Sequence, residues 1–159
     1  MTTRANHFQT VPVLINTLVE ASMASHKSSL DGAIKNLVDI RASQLNGCAF
    51  CLDMHVKQGK LRGERELRLY HVAIWRESPL FSSKEKAALA LTEVLTHLGP
   101  QGVTDEVYRH VRDHFSEVEI SELAFAIATI NAWNRLQILA QIAPGSQDAA
   151  YGLDRAGLQ

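Results

Sequence analysis

The sequence predicts an all-α domain, and three observations carry that prediction. Apolar residues recur at helical spacing along most of the 159 residues, period-two alternation is scarce, and Gly, Pro and Ser punctuate the chain where helices would end. The length suits one domain with a sizeable core and is too short for two ordinary ones. Residues 1–159 therefore read as a single domain, with the core over about 11–142 and a C-terminal tail over 145–159.

The first helix is expected over 11–24, where Val11, Leu14, Ile15, Leu18 and Val19 are helically spaced and Pro12 is tolerated in the first turn. A polar break follows at 25–29. The second helix spans 30–45, with Ile34, Leu37, Val38 and Ala42 on one face. Asn46-Gly47 is a stop signal, because glycine readily takes the left-handed conformation that closes a helix. A third helix opens at Cys48 and runs to about Lys60, and Gly59 to Gly63 loosens the chain. The fourth covers 64–75 and is interrupted at Ser78-Pro79. Ser82 or Ser83 caps the fifth, which begins with Glu85 and Lys86 and reaches about Leu98 before Gly99-Pro100. Thr104 caps a short sixth helix to about Phe115. Thr104 with Val107 lacks the acidic partner of a full capping box. The last helix, 119–142, is apolar on several faces, the mark of a helix buried on more than one side and a hint of a subunit interface. Pro144-Gly145 stops it. The tail has little apolar content beyond Tyr151, Leu153 and Leu158, and is either loose or docked on a neighbour.

Composition excludes several classes. A formal net charge of −1 with no basic run argues against a general nucleic-acid binder. No apolar stretch approaches the roughly 20 residues of a membrane span. The N-terminal segment, Met1 to His7, is polar and lacks a secretory apolar region, so the thiols are expected in a reducing cytoplasm. There a C-x-x-C pair is more often catalytic than a structural staple.

The chemistry concentrates in Arg41-Ala42-Ser43-Gln44-Leu45-Asn46-Gly47-Cys48-Ala49-Phe50-Cys51-Leu52-Asp53-Met54-His55, which holds both cysteines of the chain. On a helix opening at Cys48, both thiols, Cys48 and Cys51, and the His55 imidazole line one stripe near the N-terminus. That end stabilises a thiolate, and the imidazole can exchange its proton. Two thiols one turn apart can also close a disulfide. Other readings of the same residues are buried apolar cysteines and a zinc site, with Cys48, Cys51 and His55 joined by His110 or His114. The gap between the two pairs is much longer than in zinc fingers, and Leu52 stands where haem attachment needs histidine.

This stretch resembles the signature of the carboxymuconolactone decarboxylase superfamily, specifically its AhpD-like alkylhydroperoxidase branch. The likeness extends to Trp75-Arg76-Glu77-Ser78-Pro79-Leu80-Phe81, Glu85-Lys86-Ala87-Ala88-Leu89 and Ile130-Asn131-Ala132-Trp133-Asn134-Arg135, and runs from about Leu30 to Ile142. It implies an AhpD-like bundle of about six to seven helices that reduces hydroperoxides with an external dithiol as electron donor. It also implies a homo-oligomer, trimer or hexamer, with no metal or organic cofactor. Cys51 would attack the peroxide, Cys48 would resolve the product and His55 would relay the proton. Two departures stand out. The branch carries a glutamate twelve residues before the first cysteine, where this chain has Asn36, and a histidine where it has Phe50. The relay then runs through His55 alone or with another carboxylate such as Glu85, which also reads as a helix N-terminal charge.

Alternative functions are a redox-sensing or stress-linked oligomer without catalysis, and a carboxymuconolactone-type decarboxylase. Decarboxylases of the family generally lack the cysteine pair. Outside the motif, Trp75 and Trp133 read as core anchors or walls of the approach to the cysteines, and Arg76 with Glu77 as a structural charge pair. Asn131, Asn134 and Arg135 read as satisfied buried hydrogen bonds or interface contacts. His71, His97, His110 and His114 read as surface or satisfied histidines.

Overall fold

Side chains cap the first turns of most helices in this chain, and nine α-helices form among residues 4–158, the residues described by a computed structural model of the chain. Met1 to Thr3 of the polar N-terminal segment and Gln159 of the tail lie outside them. A single turn, α1 (His7–Thr10), capped by Asn6, precedes α2 (Pro12–His26), which carries Pro12 at its first position. Asp31 caps α3 (Gly32–Asn46), its Oδ1 accepting from the Ala33 and Ile34 amides, so the helix starts after Leu30, the predicted start. The others are α4 (Ala49–Leu61), α5 (Glu66–His71), α6 (Ser83–Thr96), α7 (Asp105–Arg112), α8 (Glu117–Ala140) and α9 (Asp148–Tyr151). There is no strand among the described residues, and the all-α expectation holds.

The fourth predicted helix is shorter than its apolar spacing suggests. It starts at Glu66, without a side-chain cap at Arg65, and tightens into a 3₁₀ turn at Val72–Ile74. The last helix starts earlier than predicted because Ser116 is its cap. The Glu119 amide donates to Ser116 Oγ at 3.3 Å and the Ser116 amide donates to Glu119 Oε2 at 2.8 Å, a full capping box. The hydrogen bond from Lys84 (2.7 Å), then the Ser116 amide, lowers the Glu119 carboxyl from its ordinary 4.5 to about 2. A depressed acid stabilises the fold fully above its ordinary value and loses that contribution as pH falls through its folded value. Glu119→Gln is therefore expected to flatten the loss of thermal stability between pH 4.5 and about 2. An acid limb identical to wild type would contradict it.

Helix α3 is the centre of the bundle, packed against α4, α6 and α8. One side, with Ile34 and Val38, joins Leu91, Val111, Phe115, Leu123 and Ile127. The other, with Leu37 and Ile40, joins Leu69, Val72, Trp75, Phe81 and Leu89. A third, smaller cluster holds Cys48, Phe50 and Cys51 beside Met54 and Ile142. A helix buried this fully cannot be displaced without opening both halves of the core, so its C-terminal end is a rigid mount for the cysteine turn.

The tail folds back on its own chain. Lys57 of α4 reaches Asp53 at 2.9 Å and Asp148 of α9 at 2.6 Å, the Gly145 amide donates to Asp53, and Leu153 and Ala156 are buried. No helix among the described residues is long and apolar enough to cross a membrane.

Candidate functional site

The site begins at the α3–α4 junction. Gly47 takes φ 69°, ψ 28°, the left-handed conformation its lack of a Cβ permits, and its amide closes α3 on Gln44 and Ser43. The chain then reverses, and the next residue caps α4. Cys48 is thus outside the helix (φ −82°, ψ 93°), where the sequence places it in the first turn. The reason is the hydrogen bond its Sγ accepts from the Cys51 amide at 3.3 Å, the job a serine usually performs. Cys51 falls within the first turn. The two Cα atoms are 5.3 Å apart, the sulfurs stand at disulfide distance, and both residues are buried.

One turn further along α4, the His55 side chain is 9% exposed. Its Nδ1 lies 2.9 Å from Gln58 Oε1 and 3.7 Å from Asp39 Oδ2, and its backbone carbonyl accepts from Asn36 Nδ2 at 2.9 Å. A Cβ on Gly59 would come within 2.5 Å of Asn36 Oδ1, so glycine lets α3 approach α4 closely there. Asn36 is therefore a clip between two helices. His55 Nε2 has no hydrogen-bond partner although it is buried.

Cys51 and His55 border a partly open cavity of about 250 Å³ between α1, α2, α3, α4, α8 and α9. Its walls are mainly apolar: Phe8, Met23, Phe50, Met54, Ile130 and Trp133, with Tyr151 from the tail. Phe8 stacks on Trp133 with ring centroids 6.4 Å apart, and Trp133 Nε1 donates to Ser22 Oγ at 2.8 Å. Cys51 and His55 face this cavity together with Asp39, whereas Cys48 is not in its wall. Burial pushes the Asp39 carboxyl above the usual carboxylate range, against the opposing pull of His55, His26, Arg62 and Lys35.

Several expectations resolve differently. Trp133 walls the approach to Cys51, but Trp75 does not: its Nε1 donates to Glu93 at 2.8 Å in the opposite half of the core. Arg76 pairs with Glu93 at 2.5 Å rather than with Glu77. Glu85 belongs to the capping box of α6 and to Arg68, away from the cavity. His71 is satisfied by Ser78 at 3.0 Å, and His110 packs edge-on against His114. Among the described residues, no three His, Cys, Asp or Glu side chains gather as metal ligands.

Asp39 is the site residue that sequence reasoning missed. A single acid within an apolar helix reads as surface, and the only available signal was its position one turn after Asn36. The buried amides were anticipated. Asn46 Nδ2 donates to Asn131 Oδ1 and Asn134 Oδ1, both at 2.9 Å, and Asn134 Nδ2 donates to Ser43 Oγ at 3.1 Å.

Comparison with known proteins agrees with this arrangement. The model of the carboxymuconolactone decarboxylase family matches residues 12–94. An uncharacterized protein of Bacillus subtilis, YdfG, is 37% identical over 138 residues, covering 87% of this chain and 94% of that one. A crystal structure from Agrobacterium tumefaciens, of a protein of unknown function provisionally named the antioxidant defence protein AhpD, superposes with a TM-score of 0.87. It is 33% identical and covers 90% of this chain and 98% of its own. The debrominase Bmp8 shares the fold with a TM-score of 0.77 at 18% identity, over 91% of this chain and 77% of its own.

Proposed function

Because the chain belongs to the carboxymuconolactone decarboxylase family, with an AhpD-like all-α fold, we propose that it is a thiol-dependent peroxidase that reduces hydroperoxides through Cys51 and Cys48. One observation carries this reading. Of the C-x-x-C pair it is Cys51 that lines the apolar cavity, and His55, whose buried Nε2 has no hydrogen-bond partner, lines it too.

The reaction starts from the dithiol. Cys51 in the first turn of α4 is stabilised as thiolate by the helix N-terminus, and His55 receives its proton. The thiolate electron pair attacks the terminal peroxide oxygen, and the O–O bond breaks. The leaving alkoxide takes a proton from the imidazolium, giving an alcohol and Cys51 sulfenic acid. Cys48 sulfur then attacks Cys51 sulfur. The S–S bond forms, the S–O bond breaks, and water departs with the Cys48 proton. An external dithiol reduces the disulfide by exchange, a step suited to a reducing compartment such as the cytoplasm.

The cavity supports a preference for organic hydroperoxides over hydrogen peroxide, since burial of each substrate methylene contributes about 0.8 kcal/mol. With excess dithiothreitol, kcat/KM for cumene hydroperoxide is expected to exceed that for hydrogen peroxide by about tenfold or more. Absence of any thiol-dependent consumption by folded, fully reduced protein would sink the peroxidase reading.

We also propose a homo-oligomer. Val13 and Leu14 on α2 are 76% and 68% exposed, and Phe125 and Leu139 on α8 are 71% and 57% exposed. Apolar faces of this kind are usually covered by another subunit. A monomeric mass by light scattering at micromolar concentration would contradict this.

A further inference from the structure

We propose that Asp39 is the positioning residue of the site: it holds the His55 ring in the Nδ1–H tautomer and stabilises the imidazolium formed when His55 takes the Cys51 proton. This rests on the reading of Cys51 as the reactive thiol.

The geometry supplies the argument. The Nδ1 edge of His55 faces two oxygens, Gln58 Oε1 at 2.9 Å and Asp39 Oδ2 at 3.7 Å. Gln58 Oε1 is at hydrogen-bond distance and Asp39 Oδ2, beyond it, adds negative charge on the same edge, so the ring proton belongs on Nδ1, and the lone pair of neutral imidazole is left on Nε2. Nε2 is the buried atom without a partner, on a residue that lines the cavity with Cys51. Gln58 can orient the ring but adds no charge; Asp39 can do both. The Asn36 amide is committed to the His55 carbonyl and cannot serve as the acid.

The charges around Asp39 come from each packed element. His55 and Arg62 belong to α4 and its end, His26 to the end of α2, and Lys35 to α3 itself. Lys35 donates to Ser25 O at 2.5 Å and Ser28 Oγ at 3.4 Å, and its charge feels Asp39 first and then Glu122 of α8. His26 is largely exposed, and partial desolvation of its ring lowers its proton affinity against the opposing pull of Asp39. Of these cations, only His55 stands within 4 Å of the Asp39 carboxylate among the described residues, at 3.7 Å. Because burial disfavours a lone carboxylate there, the anion of Asp39 is favoured while a cation faces it, and the imidazolium is that cation. Proton transfer from Cys51 to Nε2 creates it.

The test reads the thiol without peroxide. In reduced protein, the pH dependence of Cys51 alkylation by iodoacetamide is measured in a Cys48→Ser background. Asp39→Asn is expected to raise the apparent thiol pKa by about one unit and slow alkylation at pH 7 about tenfold. Asp39→Glu is expected to recover most of the shift, and Asp39→Asn is expected to add nothing once His55 is Ala. An unshifted thiol in folded Asp39→Asn protein overturns the proposal. Should that variant not fold, nitrogen-15 NMR of the imidazoles in Gln58→Ala protein decides instead: a neutral Nδ1–H tautomer for His55 kept with Asp39 alone supports it, and Nε2–H overturns it. A thiol shift in a protein that consumes no hydroperoxide would retain the Asp39–His55 pair and discard the peroxidase reading.

Discussion

Replacing Cys51 with serine is expected to reduce hydroperoxide consumption to the uncatalysed background, whereas Cys48→Ser is expected to stop after one equivalent. The two sulfurs differ in surroundings, not in sequence context alone. Cys51 faces the cavity from the first turn of α4, and Cys48 is tucked behind it as the helix cap. A serine hydroxyl at position 51 is not appreciably ionised near neutral pH and has no attacking anion to offer. A serine at position 48 remains a competent cap, because serine is a preferred N-cap residue. The Cys48→Ser protein should fold and accept one oxygen on Cys51, then accumulate as sulfenic acid that a dimedone-type reagent traps. Mass spectrometry after one turnover reads this directly. If Cys51→Ser keeps wild-type turnover, the assignment of the attacking sulfur is wrong. If Cys48→Ser cycles normally with dithiothreitol, the external thiol rather than Cys48 resolves the sulfenic acid.

What the sequence makes legible here is what it encodes locally. Helical spacing places α2, α3, α6 and α8 to within a few residues, and Ser82 at a start and Gly47 at a stop are legible as local end signals, whereas the caps Asp31 and Ser116 shift the starts of α3 and α8 from where the apolar spacing puts them. The cysteine pair and His55 are equally local, since one helix sets their spacing. Legibility fails where partners are distant in the chain. Asp39 becomes a site residue only because the Gly47 reversal folds α4 back along α3. Phe8 and Tyr151 wall the cavity from opposite ends of the chain. The Lys57–Asp148 pair, which docks the tail, spans 91 residues and has no sequence signature. Charge pairing misleads for the same reason: Arg76 neighbours Glu77 in sequence but meets Glu93 across the fold.

Asn134→Ala is expected to be among the most destabilising single changes in the bundle, at about 3 kcal/mol. Asn134 is fully buried in α8. Its Oδ1 accepts from Asn46 at 2.9 Å and its Nδ2 donates to Ser43 at 3.1 Å, so it bonds the last turn of α3 at two points. Truncation leaves Ser43 Oγ without this donor, halves the bonding of Asn46 Nδ2, and opens a small void. For a domain of this size each kcal/mol lowers Tm by about 2–4 °C, so a fall on the order of 10 °C is expected. The consequence extends to the thiols. Asn46 directly precedes Gly47 and Cys48, and loosening it frees the reversal that sets Cys48 over the Cys51 amide. Disulfide formation in the variant should therefore slow beyond what global unfolding explains, measured as thiol loss at a temperature where the protein is fully folded. The Ser43→Ala and Asn134→Ala effects should also be less than additive by about 1 kcal/mol, since the two share one hydrogen bond. A Tm within two or three degrees of wild type for Asn134→Ala would mean that water replaces the lost amide. The mount of the cysteine turn would then lie in the packing of α3 alone.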